Sequence, residues 1–390
     1  MKGIGKMEAY LDNSATTKTA KEAVDIMLEV MQKDYGNPSS KHMYGVNAEN
    51  YIKDATAVFC NVLKCQEKEI IFTSGGTESN NMAIVGGALA NRRKGQHVIV
   101  SSVEHSSVKE PFRYLAKLGF EVTYLPVDSN GVVILDELKN ALRDDTILVS
   151  TMMVNNEIGA VEPFEEMSKI IHTFNRDIVF HVDASQSFGK YRIVPKKMGI
   201  DMLSVSGHKI HGPKGTGILY VRDKVKVNPI ILGGGQQKGM RSGTENVPGI
   251  AGLGVATKLA YTDFDKKIAG MRAIKNAFVE GIGKIEGTKI NGKTDEESAP
   301  HIVNVSFPGV RAEVLLHALE DKGIYVSSGS ACSSNRPELS STLQAIGLDK
   351  NLLDSTLRFS FCVDTTPEEI EYCLQNIAEL LPVLRKYRAH

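Results

Sequence analysis

Polar side chains of the kinds that act on carbonyls and sulfur stand directly after apolar runs of this chain. Lys209 lies in "SVSGHKIHGPKGTG", among Ser206, Gly207 and His208 at the exit of "DMLSVSG". Burial there disfavours an ammonium and favours the neutral amine that forms Schiff bases. Lys214 is the rival nucleophile, but "GPKGTG" reads as an exposed turn, and His208 and His211 either hydrogen-bond the turn or, for His208, reach a phosphate. Asp183 follows the buried run of "IVFHVDASQS", with Gln186 three residues on. It caps a following helix, or it pairs with a buried cation such as a pyridinium nitrogen. His105 ends "SSVEHSSV" as a satisfied structural residue or as a ring that lies on an aromatic cofactor and handles protons. Asn156, in "MVNNEIG", offers an amide to a ring substituent.

"IIFTSGGTESNN" passes through paired glycines into a helix, leaving free N–H groups at Gly76 and Thr77 on a positive helix end. That end suits a phosphate, and the competing reading is a tight turn with Thr77 as N-cap. Cys332, in "YVSSGSACSSNRPELS", has small polar neighbours instead of the apolar ones of a packing cysteine. Exposure and mobility there suit a thiol that visits two places; the plain alternative is an exposed loop. Arg358, within the alternating "TLRFSF", needs an acceptor, either a substrate carboxylate or a structural partner. Cys60 and Cys362 read as packing residues, whereas Cys65 and Cys373 have no comparable setting.

Parallel-sheet strands must position these groups. "EIIFTS", "HVIVSSV", "EVTYLPV", "TILVSTMMV", "DIVFHVD", "DMLSVSG" and "GILYVRD" alternate with amphipathic helical stretches, and several are apolar on both faces. That pattern predicts a mostly parallel sheet covered by helices, with ligands outside the carboxyl ends of its strands. Past about residue 260 the texture changes to a long charged helix, "HIVNVSF", "RAEVLLHALEDKG", "IYVSSGSAC", "TLRFSFCV" and a closing helix, which read as a smaller α+β domain.

Composition narrows the function. Lys+Arg and Asp+Glu are 46 each, so no net field favours nucleic acid or anionic membranes as a partner, and a small ligand is expected. No apolar run is long enough to span a bilayer and the N-terminus has no signal-like core, so a cytoplasmic protein is expected. Five cysteines without a CxxC pair or histidine at zinc-ligand spacing suggest reduced thiols and no metal site.

An anion cradle, an acid for a ring nitrogen, an amine for an aldehyde and a ring to lie on the cofactor together describe pyridoxal phosphate. On these residues the chain resembles the cysteine desulfurases of the NifS/IscS type, within the class V (fold type I) aminotransferase superfamily. The likeness runs nearly end to end, through "YLDNSATT", "YGNPSSKH", "TSGGTESNN", "EHSSV", "VNNEIGAV", "HVDASQSFGK", "SGHKIHGPKGTG", "GGGQQKGMRSGTEN", "SSGSACSS" and "LRFSF". Most of these are shared with relatives of other activity. "SSGSACSS" discriminates, being similar to the long catalytic loop of the NifS/IscS group and unlike the "RxGHHCA" loop of the SufS group.

The resemblance implies a large pyridoxal phosphate-binding α/β domain over residues 16–260. A small domain would comprise 1–15 and 261–390, with a mobile catalytic loop at about 327–342. Lys209 would hold the cofactor as a Schiff base and Asp183 would pair with its ring nitrogen. His105 would stack on the ring, and Asn156 and Gln186 would address its phenolic side. Thr77, Ser206, His208 and the Gly76 backbone would bind the phosphate, with Thr244 reaching in from the second subunit of a homodimer. Arg358, with Asn37 nearby, would hold the carboxylate of L-cysteine, and Cys332 would take the sulfur as a persulfide, leaving alanine. The sulfur would pass to an iron–sulfur scaffold or a thiolation enzyme. Only 32 residues follow Arg358, which resembles the shorter NifS-like form rather than members with a longer scaffold-binding tail. The alternatives are a selenocysteine lyase, another class V aminotransferase, or a non-catalytic assembly platform.

Overall fold

A computed structural model describes residues 7–328 and 339–387. All seven apolar runs form strands of one sheet, in the order Ile70–Thr73, Gly217–Val221, Met202–Ser206, Val179–Asp183, Thr146–Met152, His97–Ser101, Glu121–Leu125. Gly217–Val221 is antiparallel to both its neighbours, and the other pairings are parallel. Strand period explains why several of the runs are apolar on both faces, while the edge strand Glu121–Leu125 is not. Val98 and Val100 point into one core and Ile99 into the other, while Phe180 and Val182 oppose Val179. Each face is then covered by helices, as the sequence pattern predicts.

A second, antiparallel sheet runs Ser327–Ser328, Thr356–Ser360, Ile302–Ser306, Lys289–Asn291. Its own core gathers Phe278, Phe307, Phe359 and Phe361 beneath the helices Phe264–Gly283, Ala312–Glu320 and Pro367–Tyr387. Cys373 corrects the sequence reading: it is wholly buried in this core, because helical spacing aligns it with Ile370, Ile377 and Leu381. Helix Val247–Tyr261 and helix Phe264–Gly283 are separated by Thr262 and Asp263, and the φ of 51° at Asp263 breaks the stretch.

The N-terminal segment stitches the two sheets together. Ala9–Tyr10 pairs with Ile324–Tyr325, the Ser14 N–H donates to Ser360 Oγ at 2.8 Å, and the Thr17 N–H donates to the His208 carbonyl at 2.9 Å.

Candidate active site

Five strands of the large sheet end around one cavity of ≈ 670 Å³, which Arg358 and residues 12–16 complete. It is bordered by His105, Asn156, Asp183, Gln186, Lys209 and Arg358, and at its other end by Gly76, Thr77, Ser206 and His208. Residues spread over 283 positions of sequence thus converge, from Gly76 to Arg358. Thr244 and Asn37 lie outside this cavity and are exposed; the Asn37 side chain accepts from the Ser39 N–H at 2.9 Å. Cys332 lies outside the described residues.

Lys209 sits on a 3-10 turn directly after Met202–Ser206. Its Nζ donates to the main-chain carbonyls of Ser14, at 2.5 Å, and Ala15, at 2.7 Å. Lys214, the rival, is exposed on its turn, although it too borders the cavity.

Asp183 is 5% exposed, and no helix follows it, so the capping alternative does not apply. Its Oδ1 accepts from the Ser185 N–H at 2.9 Å and its Oδ2 from Asn80 Nδ2 at 2.8 Å. Asn80 Nδ2 also donates to Ser107 Oγ at 2.9 Å, which ties the acid to the His105 wall. In the sequence Asn80 is one polar residue of "TSGGTESNN", and a polar residue in a helix carries no signal of such a distant partner.

His105 serves its structural reading as well: Nδ1 caps helix Ser106–Lys117 by accepting from the Ser107 N–H at 3.1 Å. That leaves Nε2 as the protonated nitrogen of a neutral ring. Burial lowers its pKa, against the opposing pull of Asp183. His208 is pushed down to about 4, by burial first and then by the charges of Lys209 and Lys214. It therefore offers a neutral ring near pH 7.

The opposite end of the cavity starts with Gly75, at φ 148°, as the N-cap of a helical stretch that continues through a π turn to Asn91. Thr77 is exposed in the first turn and is not the cap. A Cβ on Gly76 would lie 2.9 Å from Ser185 Oγ and 3.3 Å from Ser206 Cβ, so only glycine keeps that space open.

Arg358, 5% exposed, is held by Asp12 Oδ1 at 2.7 Å from Nη2 and by the Asn156 carbonyl at 2.9 Å from Nη1. The structural ion pair and the cavity position thus coexist. Its buried Nε has no acceptor among the described residues. Gln186 is anchored in a similar way: Nε2 donates to the Ser14 carbonyl at 3.0 Å and Oε1 faces His301 Nε2 at 3.4 Å.

These features fit pyridoxal phosphate. The glycine-cleared helix start suits a phosphate, the buried carboxylate a cationic ring nitrogen, the amine an aldehyde, and the orphaned guanidinium nitrogen an anion.

Residues 9–373 match the family described as Aminotransferase class-V. A protein named cysteine desulfurase IscS, from Methanosarcina thermophila, is 46% identical over 376 residues, which is 96% of this chain and 92% of the relative. Among solved structures, a NifS-like protein superimposes with a TM-score of 0.92 at 38% identity, over 97% of this chain and 100% of that one. A structure of SspA in complex with cysteine gives 0.80 at 34%, over 92% and 100%. The chain belongs to the class-V aminotransferases, among the cysteine desulfurases of the IscS/NifS type. Enzymes of that family depend on pyridoxal phosphate. No helix among the described residues is long and apolar enough to cross a membrane.

Proposed function

We propose that this protein is a pyridoxal phosphate-dependent cysteine desulfurase that converts L-cysteine to L-alanine and carries the sulfur on Cys332. The convergence of Lys209, Asp183, His105 and Arg358 on one cavity carries this reading. When bound, pyridoxal phosphate supplies an electrophilic aldehyde and an electron-accepting ring.

The chain's own groups supply the rest. Lys209 Nζ, held by the Ser14 and Ala15 carbonyls, would hold the aldehyde carbon and would move the proton at the substrate Cα. Asp183, fixed by Asn80 and the Ser185 N–H, holds a proton at the ring nitrogen. His105 and Gln186 line the ring's space with Asn156, while Ser206, His208, Thr77 and the Gly76 N–H bind the phosphate. Arg358 binds the substrate carboxylate through a guanidinium already oriented by Asp12. Cys332 thiolate attacks the substrate sulfur; the C–S bond breaks, an S–S bond forms, and the former Cβ gains a proton to become the methyl group of alanine.

Thr244, exposed and outside the cavity, is read as a contribution to the site of a second copy in a homodimer, and Asn37, likewise exposed and outside the cavity, as a neighbour of the substrate carboxylate beside Arg358. The two cores are read as two domains that meet near residue 260. A cytoplasmic location and delivery of the sulfur to an iron–sulfur scaffold or a thiolation enzyme complete the reading.

Mass spectrometry of the Cys332 peptide after L-cysteine tests it, with one added sulfur and released alanine expected. Full-rate sulfur delivery by Cys332→Ala protein would overturn the nucleophile. Borohydride should fix the cofactor on Lys209, and a label on Lys214 would overturn that assignment.

A further inference from the structure

A second cavity, of ≈ 430 Å³, also borders Lys209, and its lining includes Lys190, His211 and Cys362. Lys190 Nζ donates to the main-chain carbonyl of Lys209 at 3.1 Å. It forms no ion pair among the described residues, and its desolvated ammonium is pulled down to about 8 by burial first and the charge of Lys209 second. A desolvated cation without a carboxylate is an expensive arrangement. The histidines facing the pair offer no relief. His105, His208, His211 and His301 are all lowered chiefly by burial and so are uncharged near neutrality, and burial keeps the proton on the Cys362 thiol, so none of them offsets the ammonium. Of the carboxylates bordering the cavity, Glu22 is exposed and Asp364, 4.0 Å from His211 Nδ1, is largely exposed too, while Lys18, Lys21 and Lys267 border it as further cations.

We infer that Lys190 is a positioning residue for Lys209: it anchors the main chain of that residue and, as a like charge close by, favours the neutral form of its amine. The inference rests on the reading of Lys209 as the cofactor-holding lysine. Like charges disfavour one another's ionised forms, and the effect vanishes when either is neutral. Lys190 is mostly charged at pH 7, where its influence is largest, and loses it above about 8.

The test compares Lys190→Arg, which keeps both donor and charge, with Lys190→Met, which keeps neither; the adjoining cavity leaves room for the guanidinium. In the full chain stripped of cofactor, competitive acetylation across pH, read on the Lys209 peptide by mass spectrometry, reports the ionisation midpoint of Lys209. The midpoint should lie about one unit lower in the Arg variant than in the Met variant, a tenfold difference in neutral amine, with the parent between them. In cofactor-loaded protein the pH midpoint of the visible band should follow the same order. Equal midpoints in the two variants would overturn the inference, because a purely structural role shifts neither. Should Lys190→Met not fold, Lys190→Gln provides an uncharged donor for the same comparison. Acetylation needs no cofactor, so ordered midpoints without any borohydride-fixed label on Lys209 would uphold the like-charge effect and sink the cofactor reading alone.

Discussion

The cavity wall built by the large sheet and the wall built by residues 12–16 with strand Thr356–Ser360 hold their side chains by different means. On the sheet side, Asp183 and Ser206 end their strands, and His105 and Lys209 follow within a few residues. Hydrogen bonds local in sequence orient two of them: Asp183 to the Ser185 N–H, and His105 to the Ser107 N–H. On the other side every orienting contact joins distant segments. Arg358 is held by Asp12, Gln186 by Ser14, and Lys209 by Ser14 and Ala15. The large sheet is therefore a floor set largely by its own strand ends, and the opposite wall is an interlock whose geometry depends on the two cores being docked.

If that contrast holds, damage to the floor should remove colour and damage to the interlock should not. Lys209→Ala should lower cysteine turnover by about a thousandfold or more, within the range that one acid–base group contributes, and abolish the borohydride-fixed label. Retention of the label elsewhere at full turnover would break the comparison at its strongest point.

Asp12→Asn should leave the protein yellow while raising KM for cysteine, since Arg358 would lose its orienting charge. The broken pair should cost about 2 kcal/mol in denaturant unfolding, less than the roughly 3–5 kcal/mol of fully buried pairs, because the Asp12 side chain keeps 19% exposure. A KM unchanged from the parent would place the carboxylate contact elsewhere.

Asn80→Ala probes the floor more gently. Loss of one hydrogen bond to a buried carboxylate should weaken cofactor binding about tenfold, which is about 1.4 kcal/mol, as measured by fluorescence titration of the stripped protein. An unaltered affinity would mean that Asp183 needs no support from this side.

The smallest effect is a pH slope. An unfolded histidine takes up its proton as pH falls through 6.5, whereas folded His208 resists until about 4. Its contribution is therefore neutral above pH 6.5, and stability is lost progressively as pH falls from there toward about 4. His208→Asn should flatten that part of a thermal-melt profile, and an identical profile would argue that the ring is solvated in the folded chain.

Much of the floor was legible in the sequence because a strand exit is a local property. A residue that follows a run buried on both faces must emerge at the edge of the sheet, so "FHVDAS" and "SVSGHK" announce Asp183 and Lys209 without any knowledge of neighbours. Local context misled where the partner is remote: Cys373 looked unplaced in a charged helix, yet it is wholly buried against the second core.

By itself, then, the sequence determined the order of strands and helices, the chemical types at the sheet's carboxyl edge, and the motifs that mark the family. Tertiary structure alone decided that Asp12 meets Arg358 across 346 positions, that Asn80 meets Asp183 across 103, and that Lys190 donates to the Lys209 carbonyl beside a second cavity. Periodicity and strand exits are written in neighbouring residues, whereas a contact between distant segments exists only once chain closure has brought them together, and no local pattern encodes which atoms will meet.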